Sequence, residues 1–312
     1  MSDPQVSVVI PTRDRAEPLK TALAGLRAQT LPRERFEVIV VDDGSTDATP
    51  AVLDDERAAG DLDLRVLRRD AAGGPGAARN TGWREARGEL IAFVDDDCRP
   101  TPEWLERGVE AHEANPGSFI QGRVLKDPEQ MDRLSPFAHF FEVYGPDQGF
   151  ATANIFYPRE LLERLDGFDE EEFPRTGEDT DLGWRAIEAG AQPVFAGDAL
   201  VYHGIFPMSP LARLRSTARW SDTVKGYRRH PEMKKVKGLF WRQNHWELFR
   251  FLVALALPRR LGPVRLYLAA PYVAHLTGRR TGPLLAPYLL ALDLGEMLAI
   301  LRGAIRYRVL VL

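Results

Sequence analysis

The chain has 312 residues, with 41 Lys and Arg against 45 Asp and Glu for a formal net charge of −4, and it is 44% apolar and 28% charged. That composition excludes global disorder and fits two domains, or one larger α/β unit with an appendage. The single cysteine, Cys98, excludes an intrachain disulfide and suits a reducing cytoplasm.

The polar start MSDPQ runs directly into a strand pattern, so no secretory signal is read there. Val6–Pro11 (VSVVIP) is a short β-branched run, and Ala16–Gln29 carries apolar residues at helical spacing. Phe36–Val41 (FEVIVV) is a second buried-strand pattern that stops at DDGSTD, a turn and cap composition. Leu62–Leu67 offers a third strand, the glycines of GGPG precede a helix over Ala77–Ala86, and Leu90–Val94 (LIAFV) is a fourth strand ending in DDD. Strands alternating with helices predict a mainly parallel, doubly wound sheet with helices on both faces. Ligands bind such sheets beyond the carboxyl ends of the strands, where this chain gathers Thr12–Arg15, Asp42–Asp47 and Asp95–Asp97.

Three consecutive aspartates repel one another, and a hard divalent cation, Mg²⁺ or Mn²⁺, would neutralise them and bridge a diphosphate. In extended backbone Asp95 and Asp97 project to one side and Asp96 to the other. The bland alternative is a solvated turn whose first Asp caps a helix at Pro102. Asp42 and Asp43 divide similarly between turn-forming work and hydrogen bonds to a nucleoside. In GGPGAARNTGW the backbone amides and Arg79 at a helix start favour an anion. Neither a dinucleotide fingerprint nor a Walker loop is present. Further on, GEDTDLGWR places Glu178, Asp179 and Asp181 at a helix start; capping explains one or two of them, and one directed at a cleft could be a general base. Helical spacing puts Glu178 and Asp181 on one face. His203 closes the apolar run Ala199–Tyr202, and Cys98 reads as a small buried residue.

Taken in order, VSVVIPTRDR, FEVIVVDDGSTD, GGPGAARNTG, LIAFVDDDCRP and GEDTDLGWR resemble the family 2 glycosyltransferases of GT-A fold. The resemblance spans about 200 residues and implies an inverting, metal-dependent enzyme that moves one sugar from a nucleotide-diphosphate donor of UDP or dTDP type to a hydroxyl of a glycan or lipid-linked acceptor. By it, Pro11, Thr12, Asp14, Asp43, Arg79, Asp95 and Asp96 bind the nucleotide. Asp95 and Asp97 match the D-x-D pair, with Asp97 the direct metal ligand and His203 a further contact. Asp179 matches the catalytic base, and Glu178 and Asp181 support it or the acceptor. The polymerising members carry Gln-x-x-Arg-Trp after the base; here STARW has Ser216 in place of the Gln, which favours single-sugar transfer. A nucleotidyltransferase and an inactive membrane scaffold are the rival readings. The first wants a glycine-rich basic loop after the first strand, which PTRDRAEP lacks, and the intact acidic pairs oppose the second.

The net charge conceals two regions. Through His203 there are 22 basic against 40 acidic residues, a balance of −18; from Gly204 on, 19 against 5, a balance of +14. We therefore divide the chain into a catalytic domain, residues 1–205, and a helical basic and apolar region, residues 206–312. The acidic half disfavours nucleic acid as a partner. Leu266–Gly278 is too short to span a bilayer, and Thr281–Gly303 contains Asp293, Glu296 and Arg302. Amphipathic helices on an anionic membrane surface fit better, at the cytoplasmic face of the cell membrane and in cell-envelope polysaccharide synthesis; packing into an oligomer is the alternative.

Overall fold

The computed structural model describes residues 3–240, 242–278 and 283–311. Thr281, where the longer apolar stretch is read to begin, lies outside them. The chain forms two compact units, Met1–Leu134 with His139–Phe206, and Ser135–Ala138 with Pro207–Leu312.

In the first unit the elements run β1 (Val6–Thr12), α1 (Ala16–Arg27), β2 (Phe36–Asp42), α2 (Thr49–Ala59), β3 (Leu64–Arg68), α3 (Pro75–Glu85), β4 (Leu90–Val94), β5 (Cys98–Pro100), α4 (Trp104–Ala114), β6 (Phe119–Lys126), β7 (Asn154–Pro158), α5 (Arg159–Leu165), α6 (Glu178–Glu188) and β8 (Pro193–His203). They build one eight-stranded sheet in the order β3-β2-β1-β4-β7-β6-β8-β5. The first four strands pair parallel, as their alternation with helices requires. β7 then enters antiparallel to both β4 and β6, and β5 antiparallel to β8, so the sheet is mixed with four of its seven pairings parallel.

The two-residue period of the strands explains why both faces carry helices. Val8 and Ile10 bury themselves with Leu19, Leu23 and Leu26 of α1, Leu53 of α2 and Trp104 of α4. Val9 and Val41 point the other way, against α3, where Gly82 stands. A Cβ on Gly82 would lie 2.5 Å from Val9 Cγ1 and 3.1 Å from Val41 Cγ2. The missing side chain thus lets α3, and Arg79 on it, approach the sheet. Overpacking costs about 1–3 kcal/mol and exceeds the ~1 kcal/mol that Ala gains in a helix. Gly82→Ala should therefore lower stability by up to about 2 kcal/mol, read as a shift in the urea midpoint without a change in slope.

The second unit is helical: α7 (Pro210–Ser216), α8 (Trp220–Thr223), α9 (Lys225–Arg229), α10 (Met233–Lys237), α11 (Gln243–Ala256), α12 (Gly262–Gly278) and α13 (Ala286–Tyr307). Leu248, Tyr272, Leu276, Leu289 and Leu292 form its core. By length and composition one helix among the described residues, Pro283–Tyr307, is long and apolar enough to cross a membrane. Its acidic groups are buried and partnered within the unit. Asp293 accepts from Tyr272 Oη (2.9 Å) and Asn244 Nδ2 (3.0 Å), and Glu296 lies 3.3 Å from Arg242.

Candidate functional site

The carboxyl ends of β1, β2, β4 and β8 and the start of α3 enclose a cavity of about 440 Å³. Its walls are Pro11, Thr12, Arg13 and Arg15 after β1, Asp43 after β2, Gly74, Pro75, Ala78 and Arg79 on α3, Asp95–Asp97 after β4, and His139 and His203. Of the residues anticipated from sequence, Pro11, Thr12, Asp43, Arg79, Asp95, Asp96, Asp97 and His203 are thus brought together. Asp14, Glu178, Asp179 and Asp181 do not line this cavity.

The aspartates after β4 are not extended. Cys98 N donates to Asp95 O (3.1 Å), closing a turn, and all three side chains serve different partners on the same cavity. The helix-cap alternative is also not realised, because α4 starts at Trp104 after the short strand β5. Asp95 Oδ1 accepts from Arg79 Nη2 at 2.7 Å. Asp96 Oδ2 accepts from Thr12 Oγ1 at 2.7 Å, and burial, with Asp97 next, pushes its carboxyl up to about 7. Asp97 Oδ2 lies 3.1 Å from Arg15 Nη1, and burial raises its carboxyl too. Cys98 is buried, and burial pushes its thiol well up, so it packs and does not react.

Antiparallel pairing of β5 with β8 sets Cys98 opposite His203 and so delivers the imidazole beside Asp97. His203 Nδ1 is 2.7 Å from the Gly204 carbonyl, which can only accept, so Nδ1 donates there and Nε2 is the nitrogen left on the Asp97 side. That nitrogen faces Asp97 Oδ1 across 3.6 Å, beyond hydrogen-bond reach. A carboxylate and an imidazole facing each other in this way would serve as two donors to a divalent cation with Nε2 unprotonated. Among the described residues no three His, Cys, Asp or Glu side chains are grouped to hold a metal ion by themselves. Two protein donors completed by substrate phosphates is a usual arrangement for Mg²⁺-type ions.

After β2, Asp43 is committed to the protein. It accepts from the amides of Gly73 (3.0 Å) and Gly74 (2.9 Å), and Arg69 Nε lies 2.9 Å away. Gly74 must be glycine: φ is +91°, and a Cβ would run into the Pro174 carbonyl. Asp42 is the turn-forming member of its pair, accepting from Ser45 N at 2.8 Å. Asp14, anticipated at the nucleotide, instead braces two loops. It adopts φ 51°, accepts from Thr46 N (2.7 Å) and Asp47 N (3.2 Å), and these bonds hold its carboxyl below the ordinary value.

Glu178 and Asp179 adjoin the cavity through Arg79. The buried guanidinium forks, Nη2 to Asp95 and Nη1 to Glu178 Oε1 at 3.0 Å. Burial pushes the Asp179 carboxyl up to about 7, Glu178 adds to it, and the Thr180 amide and Arg79 oppose. The Tyr157 hydroxyl is buried with no hydrogen-bond partner, and burial first, then Asp179, pushes its pKa well up. Asp181 stands three residues on from Glu178 in the first turn of α6. It is fully buried on Arg185 Nε (2.8 Å), whose other nitrogens donate to the carbonyls of Leu165 and Gly167, so its carboxylate pins α6 to the end of α5.

Arg13 and Arg15 belong to the strand-end segment Thr12–Arg15 that the sequence places at the ligand-binding edge. His139 carries no such signal. Its backbone exchanges two hydrogen bonds with Phe206 (2.8 and 2.9 Å), and this long-range bridge sets its ring edge-on to His203 at 6.3 Å.

Residues 7–165 match the family described as Glycosyl transferase family 2, and residues 90–292 match Glycosyl transferase family group 2. The chain belongs to glycosyl transferase family 2. This glycosyltransferase is 32% identical over 216 residues to Glycosyltransferase AglE of Haloferax volcanii, covering 67% of this chain and 70% of that protein. It is 33% identical over 211 residues to the Pre-mycofactocin glycosyltransferase of Mycobacterium tuberculosis, but that match takes in only 42% of the relative's length. Among solved structures it resembles the mannosyltransferase PcManGT of Pyrobaculum calidifontis, in complex with GDP-Man and Mn²⁺, with TM-score 0.64 and 22% identity over 97% of this chain and 88% of that one. S. aureus TarS with UDP-GlcNAc follows at TM-score 0.55 and 18% identity, over 98% and 92%. At these identities the likeness establishes the GT-A fold of the glycosyltransferase.

Proposed function

We propose that this glycosyltransferase moves one sugar, with inversion, from a nucleotide-diphosphate donor to a hydroxyl of a glycan or lipid-linked acceptor. The observation that carries this reading is the approach of Asp97 and His203 at the strand-end cavity, next to two arginines and one guanidinium away from Glu178, the neighbour of Asp179. The donor complexes of PcManGT and TarS support it. Asp97 and His203 would hold a divalent cation, Mg²⁺ or Mn²⁺, which when bound supplies positive charge against the departing diphosphate.

The chain's own residues do the remaining work. Arg13 and Arg15 present guanidinium groups at the cavity and favour the diphosphate there. Arg15 gives up Asp97 to do so, keeping the face of Phe206 at 5.1 Å. Thr12 and Asp96 shape the wall beneath the nucleotide. Asp179 takes the acceptor hydroxyl's proton as that oxygen bonds the anomeric carbon, and the carbon–phosphate oxygen bond breaks with its electron pair leaving on the nucleotide. One base without a covalent nucleophile inverts the centre.

Titration calorimetry with UDP and dTDP, with and without Mn²⁺, tests this directly. Metal should strengthen diphosphate binding, and Asp97→Asn should cut that metal-dependent gain on the order of 10²-fold without unfolding the chain. A preference for triphosphates would instead favour a nucleotidyltransferase, and no metal-dependent binding would favour a scaffold. The second unit's +14 balance supports a peripheral site at an anionic membrane, which we assign to the cytoplasmic face of the cell membrane.

A further inference from the structure

Exposed apolar bulk is concentrated in the second unit. Of the nineteen large hydrophobic residues exposed among the described residues, sixteen lie there. On α11 they are ordered. Trp246, Phe249, Arg250 and Val253 recur at i, i+3, i+4 and i+7, one stripe of the helix, while Leu248 and Phe251 turn into the unit's core. Trp246, Phe249 and Val253 are 39%, 40% and 36% exposed. The stripe is pre-assembled: Phe240 sits 5.1 Å from Trp246 and 5.7 Å from Phe249, and Trp246 stacks on Phe249 at 6.0 Å. Arg250 carries it across to α12, lying 5.9 Å over Trp246 and 5.3 Å over Tyr267, itself 72% exposed.

The charge of this face selects its occupant. Among the described residues between Leu239 and Leu292 there are five arginines and one acid, Glu247, whose side chain is mostly covered and 4.0 Å from His275. A second copy laid on the same face would oppose Arg250 to Arg250 over unpaired aromatic rings. An anionic lipid surface offers the complement of both features, headgroup phosphates for the arginines and an interfacial layer for Trp, Phe and Tyr. We propose that the aromatic stripe of α11, continued onto Tyr267 of α12, is the surface by which this glycosyltransferase docks on an anionic bilayer. The assignment rests on the peripheral location proposed above and names the face that makes it.

Co-sedimentation of the full chain with vesicles tests both, using phosphatidylcholine alone and phosphatidylcholine mixed with phosphatidylglycerol. The chain should pellet with the mixed vesicles and not with phosphatidylcholine alone, and less so as salt is raised. Trp246→Ser with Phe249→Ser should weaken that binding about tenfold or more, and Arg250→Gln less, with unchanged thermal midpoint and unchanged turnover of a soluble acceptor. Quenching of tryptophan fluorescence by brominated lipid should lose a component in Trp246→Phe. Equal vesicle binding by wild type and the double variant overturns this face while leaving the peripheral location standing. Wild type that ignores both vesicle types overturns the location and the face together. A concentration-dependent dimer that the double variant abolishes would give the face to a second copy and overturn the lipid assignment.

Discussion

With Asp179 replaced by Asn, sugar transfer falls by about 10³-fold or more while nucleotide binding stays within about twofold of wild type. The expectation follows from the role proposed for the carboxylate and from its setting. Burial and the neighbouring Glu178 push it up to about 7, against the opposing Thr180 amide and Arg79, and a base with that pKa works best near neutral pH. The ionised form is the active one. Wild-type kcat/KM should therefore rise about tenfold per unit below about 7 and level off above it. The variant should lose that limb. Stability moves the opposite way: an acid whose pKa is raised by folding costs stability as pH climbs from 3.8 toward about 7. Asp179→Asn should accordingly melt no lower than wild type at pH 8, which separates lost chemistry from lost folding. Turnover within tenfold of wild type would remove Asp179 from the role of base.

The strands that were readable are those whose signal is local. β1, β2 and β4 are β-branched runs buried on both faces, and their ends fall within a residue of the patterns VSVVIP, FEVIVV and LIAFV. β6, FIQGRVLK, and β7, NIFYP, lack such runs, since Gln121 and Asn154 are polar yet buried. Asn154 is affordable inside because it donates to the carbonyls of Arg123 and Ala199 and accepts from Trp104 Nε1, partners no local pattern reveals. The cavity shows the same division. Thr12, Asp95 and Asp97 sit where strand ends must put them. Asp14 and Asp181 are acids of the right type in the right segments, but backbone amides claim one and Arg185 the other. His139 reaches the cavity only through its bridge to Phe206.

Arg79 is where the sequence pattern and the structure differ most, and its removal carries the second large effect. A guanidinium at a helix start suggests a phosphate, yet here both terminal nitrogens already serve carboxylates, Asp95 at 2.7 Å and Glu178 at 3.0 Å. Burial works against its charge, but Asp95 and Glu178 outweigh burial and the net shift is upward. Removing it leaves Asp95, Glu178 and Asp179 close together with their shared cation gone. Breaking a buried pair from one side costs about 3–5 kcal/mol, so Arg79→Gln should lower the thermal midpoint of the first unit by about 10 °C. It should also push the acidic limb of the rate profile above that of wild type, because Arg79 is one of the groups holding Asp179 down. Arg79→Lys separates charge from geometry. One ammonium supplies the charge but cannot fork between two carboxylates, so stability should return in part while the limb stays displaced. A Gln variant that melts and titrates like wild type would show that Glu178 and Asp95 hold the start of α6 without their bridge.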